Sequence, residues 1–143
     1  VTVILYLDTS ALVKLYITEA HSQAVHTAVE SAETVAVCRI AWAEAWAAMA
    51  KRARETPDEV GPIDTALQAF RQDWPHFLIV EVSQAVVERA GDFAETFALR
   101  GYDSVQLAAA SEVLAFSPDG VVFGCFDNRL NKAAALLGLD VPW

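Results

Sequence analysis

The stretch Val121-Val122-Phe123-Gly124-Cys125-Phe126-Asp127-Asn128-Arg129-Leu130 runs apolar, ends on a carboxylate and passes straight into a helical pattern. Val3-Ile4-Leu5-Tyr6-Leu7-Asp8-Thr9-Ser10-Ala11-Leu12 repeats the arrangement near the start of the chain. Uninterrupted runs rich in Val, Ile, Leu, Phe and Tyr read as strands buried on both faces, the habit of a parallel sheet. Asp8 and Asp127 then leave the sheet at the same edge. In open α/β sheets ligands bind at that carboxyl edge, above all where neighbouring strands send their helices to opposite faces.

Working outward, Ser10 is expected to cap a short helix reaching Tyr16, and residues 21–31 carry Ala24, Val25, Ala28 and Val29 at helical spacing. A short strand over 34–37 follows. Residues 40–54 are helical in composition, with Trp42, Trp46 and Met49 in one apolar stripe that forms core or a dimer face and Glu44 on the opposite side. Gly61-Pro62 punctuates the chain before a helix over 63–74, which Pro75 stops. Residues 77–82 read as a third strand, Ser83 as the cap of a helix reaching Phe97, and 103–115 as a further helix. The run from Val121, a helix over 128–137 and a final strand over 139–141 complete the pattern. Strands alternating with helices imply an α/β fold, a three-layer α/β/α sandwich around a mostly parallel five-stranded sheet.

At 143 residues the chain is read as one domain, 1–143, with 55% hydrophobic residues, a composition that excludes disorder. Its longest apolar stretch, 40–50, is interrupted by Glu44 and falls short of the roughly 18 residues of a membrane span. Val1 opens a strand-like run with no basic flank or small-residue cleavage pattern, so no signal peptide is read and a cytoplasmic protein is expected. Cys38 and Cys125 form no CxxC pair and read as two buried thiols. The net charge of −9 argues against holding nucleic acid by bulk electrostatics. Bound divalent ions, or local cations such as Lys51, Arg52, Arg54, Arg100, Arg129 and Lys132, would answer that objection; an acidic body also suits a basic partner segment.

Asp8, Glu44, Asp103 and Asp127 each interrupt or abut an apolar stretch, where a charge is costly unless something compensates it. A divalent cation compensates well, since Mg²⁺ and Mn²⁺ prefer carboxylate oxygens and activate both a phosphodiester and its attacking water. Each aspartate taken singly fits a helix cap, Asp103 with Gln106 at capping-box distance. Glu44 alone fits a solvated face. Caps have no reason to converge, whereas these four gather at one edge if the strands run as read. His21, His26 and His76 show no ligand spacing.

Tyr6-Leu7-Asp8-Thr9-Ser10-Ala11-Leu12-Val13-Lys14-Leu15-Tyr16, the Glu44 helix, Leu99-Arg100-Gly101-Tyr102-Asp103-Ser104-Val105-Gln106-Leu107-Ala108-Ala109-Ala110 and Cys125-Phe126-Asp127-Asn128-Arg129-Leu130 resemble, in order, the acidic motifs of the PIN-domain ribonucleases, particularly the VapC-type toxins of bacterial toxin–antitoxin pairs. The resemblance implies a parallel sheet in the order 3-2-1-4-5, with the first and fourth strands side by side at the switch point. It implies that Asp8, Glu44, Asp103 and Asp127 bind Mg²⁺ or Mn²⁺ for hydrolysis of RNA, with Thr9 or Ser10 orienting the site. It further implies an antitoxin partner covering the acidic groove and, together with the Trp-rich helix, a homodimer. Family members commonly carry Thr or Ser two residues before the last aspartate, where this chain has Cys125, a weaker donor. Some also carry a carboxylate after it, where Asn128 and Arg129 stand here.

The expected activity is therefore a metal-dependent endoribonuclease that leaves a 3′-hydroxyl and a 5′-phosphate, because water is the nucleophile. A receiver-type phosphoacceptor domain would need an acidic pair after the first strand, where Asp8 is followed by Thr9-Ser10, and a lysine after a late strand. The other alternative is a non-catalytic PIN-like binding module whose acids only receive a basic partner segment; metal-dependent cleavage separates the two.

Overall fold

The computed structural model describes residues 3–143. Four strands, β1 (Ile4–Leu7), β2 (Thr34–Cys38), β3 (Leu78–Val80) and β4 (Val121–Gly124), form one sheet in the order β3-β2-β1-β4, and every pair is parallel. Alternation along the strands divides the side chains between two cores. Leu5, Leu7, Val35 and Val37 face one way, and Tyr6, Ala36, Cys38, Val121 and Phe123 the other. Both faces are covered, which is why these strands read as continuous apolar runs and not as alternating ones.

The first face carries α1 (Thr9–Val13), α2 (Ser22–Ser31), α3 (Ala41–Glu55) and α4 (Val60–Asp73). Met49, Phe70 and Trp74 are buried there, and Trp42 stacks on Trp46 and on Phe70 at centroid distances of 5.2 and 5.3 Å. The tryptophan stripe is thus largely core, closed by α4. The second face carries α5 (Gln84–Phe97), α6 (Gly101–Ala115) and α7 (Asn128–Leu136). Small residues on α6, Ala108, Ala109 and Ala110, are fully buried, so the helix lies close to the sheet and to α5. The three-layer sandwich is as expected.

Among the described residues the sheet has four strands and not five. The expected strand over 139–141 is reduced to one bridge, Val122 to Asp140, held by Asp140 N–H donating to Val121 O (3.0 Å) and Phe123 N–H donating to Asp140 O (2.7 Å). Two local features limit it: Gly138 turns the chain with φ +91° immediately before, and Pro142 brings no N–H to continue the ladder. The bridge still sits outside β4, so the expected strand order survives in shortened form.

Smaller departures follow from the same kind of local chemistry. Asp8, not Ser10, is the N-cap of α1, and the helix gives way to turns after Val13. α4 begins at Val60, taking Gly61-Pro62 into its first turn, where a missing proline N–H costs nothing. β3 is only three residues of the six expected.

Candidate active site

β1 is followed by helices on the first face and β4 by α7 on the second, so the two central strands diverge at their carboxyl ends. This is the crevice that an open parallel sheet offers a ligand. Gly124 allows the strands to lie close there, since a Cβ would stand 2.6 Å from Leu7 Cδ2 and 3.1 Å from Tyr6 O. A cleft of about 500 Å³ opens above, and Asp8, Glu44, Asp103 and Asp127 all line it. Thr9 and Ser10 line it too; Asn128 does not, and Cys125 lies buried underneath.

Asp8 and Asp127 combine two roles. Asp8 Oδ1 accepts the Ala11 N–H at 2.9 Å and Asp127 Oδ1 accepts the Leu130 N–H at 3.1 Å, so each carboxylate caps the helix that follows it. Ser10 Oγ donates to both oxygens of Asp8, at 3.0 and 3.1 Å. Asp103 is different. Arg100 is the N-cap of α6, with its carbonyl accepting from Ser104 N–H and Oγ, and Asp103 stands inside the first turn, where its carboxylate is not a cap.

The expected capping partner of Asp103, Gln106, has another occupation. Its side chain is buried and joins three elements: Tyr6 Oη donates to Gln106 Oε1 at 2.6 Å, and Gln106 Nε2 donates to Thr9 Oγ1 at 3.0 Å and to Glu44 Oε1 at 2.9 Å. Thr9 Oγ1 also donates to Glu44 Oε1, at 2.7 Å. Glu44 is therefore a half-buried acid held by two donors, both on Oε1, and not a solvated helix face. Sequence reading missed Gln106 as a site residue. The signal was a lone polar side chain between Val105 and Leu107 on the buried side of its helix.

The electrostatics are those of crowded acids. Burial, reinforced by the nearby Asp103, raises the Asp8 carboxyl above its ordinary value, against the lowering effect of bonds from the Ala11 N–H, Cys125 and Ser10. Asp103 is also raised, by burial and then by Asp127, with Arg100 opposing. Cys125 supplies the link between the two central strands' acids. Its sulfur accepts the Asp127 N–H at 3.3 Å and its thiol lies 4.0 Å from the Asp127 carbonyl oxygen, and burial and the neighbouring Asp8 charge push the thiol far up, so it stays protonated and able to donate. It thus occupies the place of the expected hydroxyl.

Among the described residues no three His, Cys, Asp or Glu side chains stand close enough to enclose a metal ion by themselves. The donor set is nonetheless all carboxylate oxygen, and buried Asp8 carries a desolvation cost that its hydrogen bonds only partly offset. An ion that takes one or two carboxylates and keeps several waters, as Mg²⁺ does, fits such an open arrangement. Of the basic residues, Arg52 is engaged by Glu59 at 2.7 Å and Glu19 at 3.4 Å. Arg100 lines the cleft with no ion pair among the described residues.

Comparison with known proteins gives a consistent picture. The PIN domain family model matches residues 5–136. Ribonuclease VapC45 of Mycobacterium tuberculosis (strain CDC 1551 / Oshkosh) is 33% identical over 138 residues, covering 96% of this chain and 94% of that protein, and Ribonuclease VapC49 of strain H37Rv matches equally. Ribonuclease VapC46 is 29% identical over 140 residues, covering 96% and 95%. Among solved structures, FitAcB from Neisseria gonorrhoeae superposes with a TM-score of 0.67 at 16% identity, covering 96% of this chain and 95% of that one. A toxin–antitoxin complex from Klebsiella pneumoniae gives 0.58 at 20% identity over 82% and 83%. At these identities the structural likeness is one of fold.

Proposed function

The chain belongs to the PIN-domain family, and from that membership we propose that it is a metal-dependent endoribonuclease, the toxin of a toxin–antitoxin pair. The observation that carries the proposal is the meeting of four carboxylates from separate parts of the chain in one cleft at the sheet's switch point. Two of them cap helices, but capping does not explain Asp103 or Glu44.

In this reading Asp8, Asp103, Asp127 and Glu44 hold Mg²⁺ or Mn²⁺. The bound ion supplies Lewis-acid polarisation of the phosphodiester and a lower pKa for the attacking water. Ser10 and the Ala11 N–H fix the Asp8 carboxylate, and the Leu130 N–H fixes that of Asp127, so the ligands are oriented before anything binds. Thr9 and Gln106 hold Glu44 through Oε1, which leaves Oε2 as the oxygen that would reach the ion. The new P–O bond forms as the P–O3′ bond breaks, the attacking water gives up a proton to solvent and the departing O3′ takes one from it, leaving a 3′-hydroxyl and a 5′-phosphate. The partner would be an antitoxin segment with a basic side chain reaching the carboxylates. We also propose a homodimer, formed by the apolar hollow among Ile40, Trp42, Ala43, Trp74 and Val82, and a cytoplasmic location; among the described residues no helix is long and apolar enough to cross a membrane.

Incubating partner-free protein with total RNA, with and without Mg²⁺ or Mn²⁺, and mapping the cut ends tests the activity. Metal-dependent cuts bearing 5′-phosphates are expected. No cleavage with either ion would return the site to the binding-module reading.

A further inference from the structure

Beside the acidic cleft lies a second hollow of about 680 Å³, lined by Glu44, Arg100, Gly101, Tyr102, Asp103 and Val105. Glu44, Arg100 and Asp103 line both, so the two form a continuous surface leading away from the proposed ion site. Tyr102 is 64% exposed, directly before Asp103 in the first turn of α6. A tyrosine ring left in water beside a site needs a reason, because the other two tyrosines are bonded and packed. Tyr6 is buried and donates to Gln106; Tyr16 donates to Asp73 at 2.8 Å and packs edge-on against Phe70.

Arg100 supplies the second observation. Arg39 and Arg52 are both paired with acids, to Glu81 and to Glu59 with Glu19, whereas Arg100 makes no ion pair among the described residues although it faces a groove lined by carboxylates. It is exposed and available to an anion. A planar ring and an unpaired guanidinium, two residues apart and lining one hollow, match a nucleotide: the base stacks on the ring and the phosphate meets the cation.

We propose that Tyr102 and Arg100 form a nucleotide subsite next to the cleavage position, with Tyr102 stacking a base of the RNA and Arg100 holding an adjacent phosphate. The inference rests on the ribonuclease reading of the acidic cleft and adds to it two residues that hold the substrate beside the cut. A base reaches a side-chain ring only when it is free of its own helical stack, so the substrate is single-stranded RNA or an unpaired loop. A non-specific contact of this kind also lets an acidic protein hold RNA, since stacking needs no net positive charge.

The test measures binding and cleavage separately. Binding of a short fluorescein-labelled single-stranded RNA is followed by anisotropy in EDTA, where cleavage is silent, and cleavage of the same RNA is followed in Mg²⁺ or Mn²⁺. Tyr102→Ala should weaken binding about tenfold, equivalent to roughly 1.4 kcal/mol, and raise KM with little change in kcat. Tyr102→Phe and Tyr102→Trp, which keep a ring, should recover most of that loss. Arg100→Ala should make binding less salt-dependent, its log–log slope falling by about 0.7 for one phosphate contact on a single strand. The same sequence annealed into a duplex should bind more weakly than the single strand.

Equal binding by wild type and Tyr102→Ala, with unchanged thermal melts, overturns the subsite while leaving cleavage, and the enzyme, intact. Equal affinity for duplex and single strand overturns it as well. Ring-dependent binding in EDTA without cleavage in any metal supports the subsite and removes the enzyme reading.

Discussion

Replacing Asp8 by Asn separates an ion-binding carboxylate from a mere cap, because the two roles respond oppositely. As a cap, Asn is about equal to Asp: its Oδ1 can accept the Ala11 N–H as Asp8 does now at 2.9 Å, so a few tenths of a kcal/mol at most should change. As a buried charge, Asp8 is a burden on the metal-free fold, shown by the upward displacement of its carboxyl through burial. Removing that burden stabilises the protein, partly offset by an amide NH₂ that must turn the Ser10 hydroxyl from donor to acceptor. The net gain should be about 1 kcal/mol, or ~4 °C in Tm for a domain of this size. The sign has a pH signature. A carboxyl raised on folding costs nothing below its unfolded value near roughly 4, and the cost grows as pH rises to the folded pKa and is complete above it. In EDTA the variant should therefore melt above wild type at pH 7 to 8 and coincide with it near pH 3. With Mg²⁺ at a hundred times its Kd, wild type gains about 2.7 kcal/mol by preferential binding to the folded state, and the order reverses. Calorimetric melts in EDTA and Mg²⁺ across that pH range, beside an RNA-cleavage assay, read every part. If Asp8→Asn melts with wild type in both conditions and still cuts RNA, the carboxylate is a cap and the site assignment is wrong.

Cys125→Thr should retain or raise cleavage, since a hydroxyl donates to Asp8 better than a thiol; a tenfold loss of kcat/KM, about 1.4 kcal/mol, would show a role the geometry does not explain. Gln106→Leu should strand the buried Tyr6 hydroxyl and leave Glu44 with Thr9 as its one remaining donor, costing about 1–3 kcal/mol in a urea melt and lowering kcat more than it raises KM; unchanged kcat would exclude a positioning role. Gly124→Ala should destabilise by about 1–3 kcal/mol, because its Cβ meets Leu7 Cδ2 and the Tyr6 carbonyl in a closed core, and a neutral result in the same melt would show that β1 and β4 can separate. A monomeric mass by light scattering at micromolar concentration would remove the proposed dimer.

Burial on both faces made the central strands legible, because a run such as residues 121–126 leaves no room for a helical period. The final strand was over-read for a related reason: Leu139 and Val141 are apolar, but pairing depends on N–H groups and register, which Gly138 and Pro142 interrupt without changing hydropathy. The carboxylates stood out as charges in apolar surroundings, and the structure brings all four to one cleft. Their supports were harder to see. Gln106 at three residues from Asp103 has the spacing of a cap pair, and only the tertiary approach of Thr9 and Glu44 gives its amide different partners. Likewise Arg52 read as a free cation until folding placed Glu19 and Glu59 beside it.

The chain of bonds from Tyr6 through Gln106 and Thr9 to Glu44 has a mechanical meaning. Tyr6 and Gln106 belong to the second-face layer and Glu44 to the first, so these bonds pass over the end of the sheet and rivet the two helical layers together. Hydrogen bonds keep donor–acceptor distances within about 2.5 to 3.2 Å, and these four, at 2.6 to 3.0 Å, hold α3, α6 and the end of the sheet at one separation. The width of the slot above them is consequently set by the spacing of two packed layers and not by a loop. Whatever enters it meets a jaw of fixed gauge, and a partner that pried α3 from α6 would disarm the site without touching an aspartate.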